Sequence, residues 1–210
     1  PRNRYSTSPV KIVPARQGNK ALSRLDQARE IAASCGWLTR VSPSFRNAVL
    51  SAAQLVRLAP GDTLYRAGDE SSGIFGLTAG ALRVSLVPGA QGAYFAHFLR
   101  PGSWFGELPL ISGLPRIVEI SSAKQGEVLP LPRRAIDGLI RSDPETWRWI
   151  AVLANDNFQL AVGVSSDLMI RDSRNRFIAV LLRLGGYRAP GADLDARQEI
   201  DVSQEDLAAM

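Results

Sequence analysis

The chain has 210 residues, 45% hydrophobic and 21% charged, which is enough for a sizeable core with an appended element. No apolar run approaches the roughly 20 residues of a membrane span, and the N-terminal residues hold no apolar signal region, so the expected compartment is the cytosol. The single cysteine, Cys35, excludes an intrachain disulfide and an iron–sulfur cluster held by four thiolates of one chain. The net charge of +5 suits either a polyanionic partner or an ordinary solvated surface.

Residues 1–34 differ in character from the rest of the chain and are predicted to form an N-terminal extension. Residues 1–20 are basic and interrupted by prolines, as in a tail that buries too little apolar surface to fold. Such a tail either stays disordered or is attracted to nucleic acid. Because the first residue is Pro1 and not Met, the native start is expected upstream. The apolar spacing from Ala21 to Ala33 predicts a short amphipathic helix.

Residues 35–142 have the pattern of a β-rich domain. Ser42 followed by Pro43 predicts an N-capped helix that runs to Leu58. Ten of the 18 glycines lie between Gly61 and Gly113, separated by the runs TLYR, IFGLTA, ALRVSLV and AYFAHFLR. The runs IVEISS and EVLPL follow. Short strands interrupted by glycine turns predict an α+β fold built on an antiparallel, jelly-roll-like β-roll and not a parallel α/β sheet.

The segment FGELPLISGLPR, residues 105–116, spaces a glycine, a carboxylate and a guanidinium as needed to hold one sugar phosphate. Gly106 allows a tight turn, and Glu107 can accept a hydrogen bond from a ribose hydroxyl. Arg116 presents a planar donor fork that matches phosphate oxygens. Residues 108–112 are predicted to form one helical turn. The predicted ligand site consists of Gly106, Glu107, Leu108, Arg116 and Ile117; the alternative is a turn followed by a surface arginine.

Asp143 followed by Pro144 predicts the start of the longest helix, which runs to about Ile170. Apolar residues recur along it every seven positions, a spacing suited to left-handed pairing of two helices. The predicted dimer seam consists of Trp147, Ala151, Ala154, Phe158, Ala161 and Leu168. The alternative is that this stripe packs on the β-roll of its own chain.

Two further helix starts follow the long helix. Asp172 is the predicted N-cap of a helix that ends at Leu184, where two glycines follow. Ser203 and Asp206 are spaced as in a capping box before the apolar Leu207, which predicts another helix start. A short helix that merely ends the domain is the alternative for this last segment.

Residues suited to catalysis or metal binding are scarce. His97 is the only histidine and lies in an alternating strand, where a packed or surface imidazole is expected and not a metal or haem ligand. Without a second histidine, the sequence supports neither a zinc site nor a nucleophile–base pair. The prediction is therefore a protein without enzymatic activity, catalytic residues or a bound metal.

The 105–116 segment resembles the phosphate-binding cassette of cyclic-nucleotide-binding domains, and residues 37–210 resemble bacterial transcription regulators of the CRP/FNR family. The turn glycines before the cassette fall where that family's β-roll places its own. The resemblance implies that Glu107 meets the ribose 2′-hydroxyl and that Arg116 meets the cyclic phosphate. It implies a cyclic nucleotide, cAMP or cGMP, or another small anion as the effector.

The resemblance also implies an organisation for the second half of the chain. Residues 143–171 correspond to a dimerisation helix and hinge, with two such helices in parallel around a two-fold axis. The hinge falls at Ile170, Arg171 and Asp172. Residues 172–210 correspond to the beginning of a winged helix-turn-helix whose recognition helix, expected after Met210, would enter the DNA major groove.

Three departures from the family pattern bear on the ligand. Pro109 stands where cyclic-nucleotide binders have a small residue, and a proline has no N–H to give to the phosphate. Ile117 and Val118 replace small or hydroxyl residues after the arginine. Ala161 and Val162 take the positions at which cAMP-responsive regulators read adenine, and their side chains cannot hydrogen-bond a base. Weak recognition of cAMP is therefore expected.

These observations together predict a homodimeric, ligand-sensing regulator that binds duplex DNA, with its DNA-binding domain cut short in this sequence. An effector in the β-roll would bias the long helices between two arrangements. The alternative is a stand-alone nucleotide-binding module that controls a partner protein. The sequence after Met210 would separate the two, since an arginine-rich helix there would favour DNA.

Overall fold

The computed structural model describes residues 23–86 and 94–188. The α-helices within these ranges are α1 (Arg24–Ser34), α2 (Pro43–Ala52), α3 (Leu108–Ser112), α4 (Arg133–Ser142), α5 (Thr146–Leu168) and α6 (Ser173–Leu184). The strands are β1 (Val56–Leu58), β2 (Thr63–Tyr65), β3 (Gly73–Ala79), β4 (Leu82–Leu86), β5 (Tyr94–Leu99), β6 (Trp104–Phe105), β7 (Val118–Ser122) and β8 (Gly126–Pro132). A 3₁₀ turn, Trp37–Arg40, precedes α2. No described helix is both long enough and apolar enough to cross a lipid bilayer.

The strands form two antiparallel sheets that pack face to face. One sheet has the order β1-β8-β3-β6 and the other has the order β2-β7-β4-β5. Apolar side chains from both sheets fill the space between them, and the rings of Phe75 and Phe105 stack there with centroids 5.8 Å apart. The prediction of an α+β fold with an antiparallel β-roll is confirmed. The winged helix-turn-helix remains a prediction, because the described residues end at 188.

A second core lies on the outer face of the β1-β8-β3-β6 sheet, where α1, α2, α4 and the start of α5 pack. Trp37 is central to it. Its ring lies edge-on to Trp104 at a centroid distance of 5.5 Å, and its Nε1 donates to the carbonyl oxygen of Trp149 at 2.8 Å. The first residues of α5 are thereby fixed to the sandwich.

Two of the predicted helix caps are confirmed. The Ser42 hydroxyl accepts from the Phe45 amide at 3.3 Å, with Pro43 in the first turn of α2. The Asp172 carboxylate accepts from the Asn175 amide at 2.7 Å, and α6 ends at Leu184 as predicted. The first helix begins at Arg24, and the residues before Ser23 lie outside the described part of the chain. Both caps depend on local contacts between residues three positions apart, which sequence spacing reveals.

The predicted end of the second helix at Leu58 was wrong. That helix ends at Ala52, and Val56–Leu58 instead pairs with β8, where Val56 lies opposite Val128. The apolar residues of this segment fit either a helix face or a strand edge, and the partner strand, which lies far away in sequence, decides between them.

The start of the long helix also differs from the prediction. The helix begins at Thr146, and Asp143 accepts from the Glu145 amide at 3.0 Å in the turn before it. α4 was not predicted from the sequence, because it follows β8 directly and its N-cap residue, Pro132, has no polar side chain to mark a start. Residues 87–93, the N-terminal tail and the capping box at Ser203 lie outside the described residues.

Candidate functional site

The cassette, residues 105–116, begins with a turn that only glycine fits. β6 ends at Phe105, and Gly106 has a φ of 92°, in the region where other residues are strained. A Cβ on Gly106 would lie 2.9 Å from Nη1 of Arg116. The chain then enters the predicted single helical turn, α3, after Glu107. Gly106 therefore sets both the direction of the loop and the space for the arginine.

Arg116 is buried, with 4% of its surface exposed, so the alternative of a surface arginine was wrong. Its guanidinium carbon lies 3.8 Å from the centroid of the Tyr65 ring, in cation–π geometry. Nη2 donates to the Gly73 carbonyl oxygen at 3.1 Å and to the Ser72 hydroxyl at 3.3 Å. Nε is buried without a hydrogen-bond partner in the described structure. Burial lowers the pKa of Arg116, but a guanidinium stays charged at neutral pH.

Glu107 is also buried, with 2% of its surface exposed. Its Oε2 accepts from Nδ2 of Asn157 on α5 at 3.0 Å, and the same amide nitrogen lies 3.2 Å from the Trp104 carbonyl oxygen. Burial raises the pKa of Glu107, while the Asn157 hydrogen bond and the charge of Arg116 oppose that rise. Asn157 was missed by the sequence analysis, since one asparagine in a helix gives no signal of a contact 50 residues away.

A cavity of about 500 Å³ opens beside the cassette, between the β2-β7-β4-β5 sheet and α5. All five predicted ligand residues line it: Gly106, Glu107, Leu108, Arg116 and Ile117. The remaining wall is mainly apolar and includes Val84, Leu86, Leu99, Ile120, Leu160 and Val164. The volume falls within the range of about 300–1,000 Å³ common for small-molecule sites. The structure thus brings the predicted residues to one concave site, although their contacts with a ligand remain predictions.

The residues that depart from the family pattern lie in or near this cavity. Pro109 lines it and contributes no amide hydrogen. Of the two residues predicted at the base-reading positions, Ala161 lines the cavity and Val162 does not. Ser165, one turn further along α5, lines the cavity, and its hydroxyl donates to the Ala161 carbonyl oxygen at 3.0 Å. The wall that would face a base therefore offers few free hydrogen-bonding groups.

α5 carries an apolar stripe, most of which is exposed. Ile150 and Leu153 are buried against the chain's own core, whereas Phe158 is 63% exposed. Of the other predicted seam residues, Ala154 is partly buried. The rest are exposed: Trp147, Ala151, Ala161 and Leu168. The alternative that this stripe packs on its own β-roll therefore does not hold for Phe158. The predicted hinge residues Ile170, Arg171 and Asp172 form the short connection between α5 and α6.

A buried ionic cluster joins α5 to α6. Asp167 accepts from Nε of Arg183 at 2.6 Å, and both side chains are buried. Arg188 also pairs with Asp167. Nη1 of Arg183 lies 2.7 Å from Nδ1 of His97, which is a cavity residue on β5. The cluster connects the cavity wall to α6, the helix after the predicted hinge. The spacing of these residues in the sequence did not indicate it.

His97 is expected to make the protein acid-labile. Burial and the nearby charges of Arg183 and Arg100 lower the pKa of His97 from 6.5 to about 3, against the opposing effect of Asp167. The unfolded chain therefore binds the proton first, and the stability that neutral His97 provides is lost as the pH falls below about 6.5.

The slope of the free energy of unfolding should steepen from about 0.7 kcal/mol per pH unit at pH 6.5 to about 1.4 kcal/mol per pH unit near pH 5. Urea denaturation over this range checks the slope. His97→Asn retains a neutral acceptor at the Nδ1 position and should flatten it. Because His97 is the only histidine, an unchanged slope in that variant would contradict the assignment.

The other titratable groups of the described residues form no cluster of three or more metal-ligating side chains. The arrangement is instead that of a binding site, since a carboxylate and a guanidinium face one largely apolar cavity.

No curated protein matches the chain. Residues 55–143 match the family model of the cyclic nucleotide-binding domain. The sandwich has the cyclic nucleotide-binding fold.

Solved structures with this fold support the same architecture over most of the chain. A c-di-GMP responsive global regulator from Xanthomonas campestris aligns with a TM-score of 0.62 and 16% identity, over 80% of this chain and 84% of the other. A proposed cyclic nucleotide binding protein from Ruegeria pomeroyi aligns at 0.57 and 20% identity, over 77% and 71%. The N-terminal domain of a transcriptional regulator from Streptomyces coelicolor aligns at 0.51 and 16% identity, over 68% and 99%. At these identities, the likeness shows the fold alone.

Proposed function

We propose that the protein is a ligand-sensing transcription regulator of the CRP/FNR type that acts in the cytosol as a homodimer bound to duplex DNA, and that it is not an enzyme. The observation that carries the proposal is the hydrogen bond between Asn157 on α5 and Glu107 in the cassette. Through it, the cavity and the proposed dimerisation helix share a polar contact. The structural neighbours named as regulators support the same role.

An effector would act through this contact. A cyclic nucleotide, cAMP or cGMP, or another small anion at Arg116 would approach Glu107 and compete for its hydrogen bonds. A changed Glu107–Asn157 contact would favour one arrangement of the paired α5 helices over another. At its far end, α5 is held to α6 by the Asp167–Arg183 pair, so a shift of α5 would be passed across the hinge. The coupling is thus assigned to two contacts of one helix, one at Asn157 near its middle and one at Asp167 in its last turn.

The proposal is tested by selecting duplexes from a random library with the protein encoded by the complete reading frame. We expect enrichment of a two-fold symmetric site, bound about a thousandfold or more tightly than random duplex at physiological salt. Salt-sensitive binding of equal strength to all duplexes would contradict the proposal.

A stand-alone regulatory module that controls a partner protein is the second candidate. It is favoured by the family match, which covers residues 55–143 and leaves out α5 and α6. The same selection experiment separates the two functions. If no duplex is enriched with or without effector, the DNA-binding function is wrong and the module is supported.

A further inference from the structure

The wall of the cavity carries few polar groups outside the cassette. Apart from the cassette, Asn157 and Tyr65, which packs against the Arg116 guanidinium, the polar wall residues are His97 and Ser165, and both have protein partners. Nδ1 of His97 contacts Arg183, and the Ser165 hydroxyl donates within its own helix. The amide nitrogen of Asn157 is engaged by Glu107. A purine has several donors and acceptors on its edge, and these would be buried here with few partners.

The cassette end, in contrast, is suited to a single acidic group. Arg116 lines the cavity and keeps one buried nitrogen, Nε, without a hydrogen-bond partner in the described structure. A buried guanidinium is stabilised when an anion joins it. Glu107 stands beside it as a hydrogen-bond acceptor, which suits a hydroxyl close to the acidic group. The site thus combines one position for an anion and one for a hydroxyl with the apolar part of the cavity, which we term the chamber.

We propose that the effector is an amphipathic hydroxy acid, with a carboxylate at Arg116, a nearby hydroxyl at Glu107 and an apolar tail that fills the chamber between α5 and the β2-β7-β4-β5 sheet. This inference rests on the proposed sensing function and specifies its ligand class. The tail would contact Leu86, Leu99, Leu160 and Val164. Since α5 supplies part of that wall, the length of the tail would determine how α5 sits against the sheet.

The test is titration calorimetry on the 210-residue chain with straight-chain carboxylates from hexanoate to dodecanoate, and with cAMP and cGMP. We expect affinity to rise about fourfold for each added methylene until the chamber is filled. Decanoate should bind at least tenfold more tightly than 1-decanol, which lacks the charge for Arg116. 3-Hydroxydecanoate should bind about fivefold more tightly than decanoate, because one hydrogen bond is added.

Two variants separate the chamber from nonspecific adsorption to apolar surface. Leu86 lines the cavity and is 46% exposed, whereas Ile111 does not line it and is 49% exposed. Leu86→Asn should weaken decanoate binding by about tenfold, and Ile111→Asn should leave it unchanged. Both positions are exposed, so neither change should unfold the chain.

Several outcomes would overturn the inference. Equal losses in the two variants, or affinities independent of chain length, would mean surface adsorption. Equal binding of decanoate and 3-hydroxydecanoate would remove the role assigned to Glu107. Tight cAMP or cGMP binding without any carboxylate binding would replace the ligand class but leave the proposed regulator function intact. Failure of the DNA selection, with the carboxylates bound as expected, would overturn the regulator function and not the ligand class.

Discussion

Replacing Asp167 with asparagine is expected to lower the free energy of unfolding by about 3–5 kcal/mol. Asp167 is 1% exposed and is the carboxylate partner of the buried Arg183. The neutral amide would leave that guanidinium buried without a counter-charge. A small opposing gain, below about 1 kcal/mol, comes from removing a negative charge in the last turn of α5. Thermal unfolding should show a midpoint about 10 °C lower.

The matched control is Glu145→Gln, which removes an exposed pair. Oε1 of Glu145 lies 2.8 Å from Nη1 of Arg148, and both side chains are largely in solvent. Such a pair contributes at most about 1 kcal/mol, so this variant should unfold almost as the parent does. If Asp167→Asn were as mild as the control, the cluster between α5 and α6 would be open to water in solution, and the proposed coupling across the hinge would lose its basis.

Replacing Phe158 with glutamate is expected to convert the proposed homodimer into single chains. Phe158 is 63% exposed on the apolar stripe of α5, so the fold of one chain does not depend on it. In a parallel pair around a two-fold axis, two glutamates would face each other and lose the apolar contact. Light scattering at micromolar concentration should show half the parental mass.

Gln159→Glu adds the same charge at the next position, which lies off the stripe and is exposed. This control should keep the parental mass. A parent that already scatters as a single chain, or a Phe158→Glu variant of unchanged mass, would show that α5 is not the dimer seam. In either case, the shared contact between Asn157 and Glu107 would need another route to the proposed DNA-binding unit.

Local sequence signals predicted much of the fold. The caps at Ser42 and Asp172 depend on side chains that bond an amide three residues away, and such spacing is visible in the sequence. The glycine-rich region predicted short antiparallel strands, because glycine permits the turns that join them. The spacing of Gly106, Glu107 and Arg116 predicted one site, and all three residues line the same cavity.

Contacts between distant residues decided the rest. Val56 and its neighbours became a strand because β8 offered an unpaired edge, although their apolar pattern also suited a helix. Asn157 meets Glu107 across 50 residues, and His97 meets Arg183 across 86 residues. Single polar residues of this kind have no periodicity or spacing that marks them, so only the packed structure identifies their partners.

The β-roll, the cassette and the apolar stripe of α5 could be predicted from the sequence, because each depends on residue types at short spacing. The polarity of the cavity could not. That property depends on which wall groups already hold partners, such as Ser165 within α5 and His97 against Arg183. A donor or acceptor that already has a hydrogen-bond partner within the protein is not available to a ligand. Which groups have such partners is visible only in the folded structure.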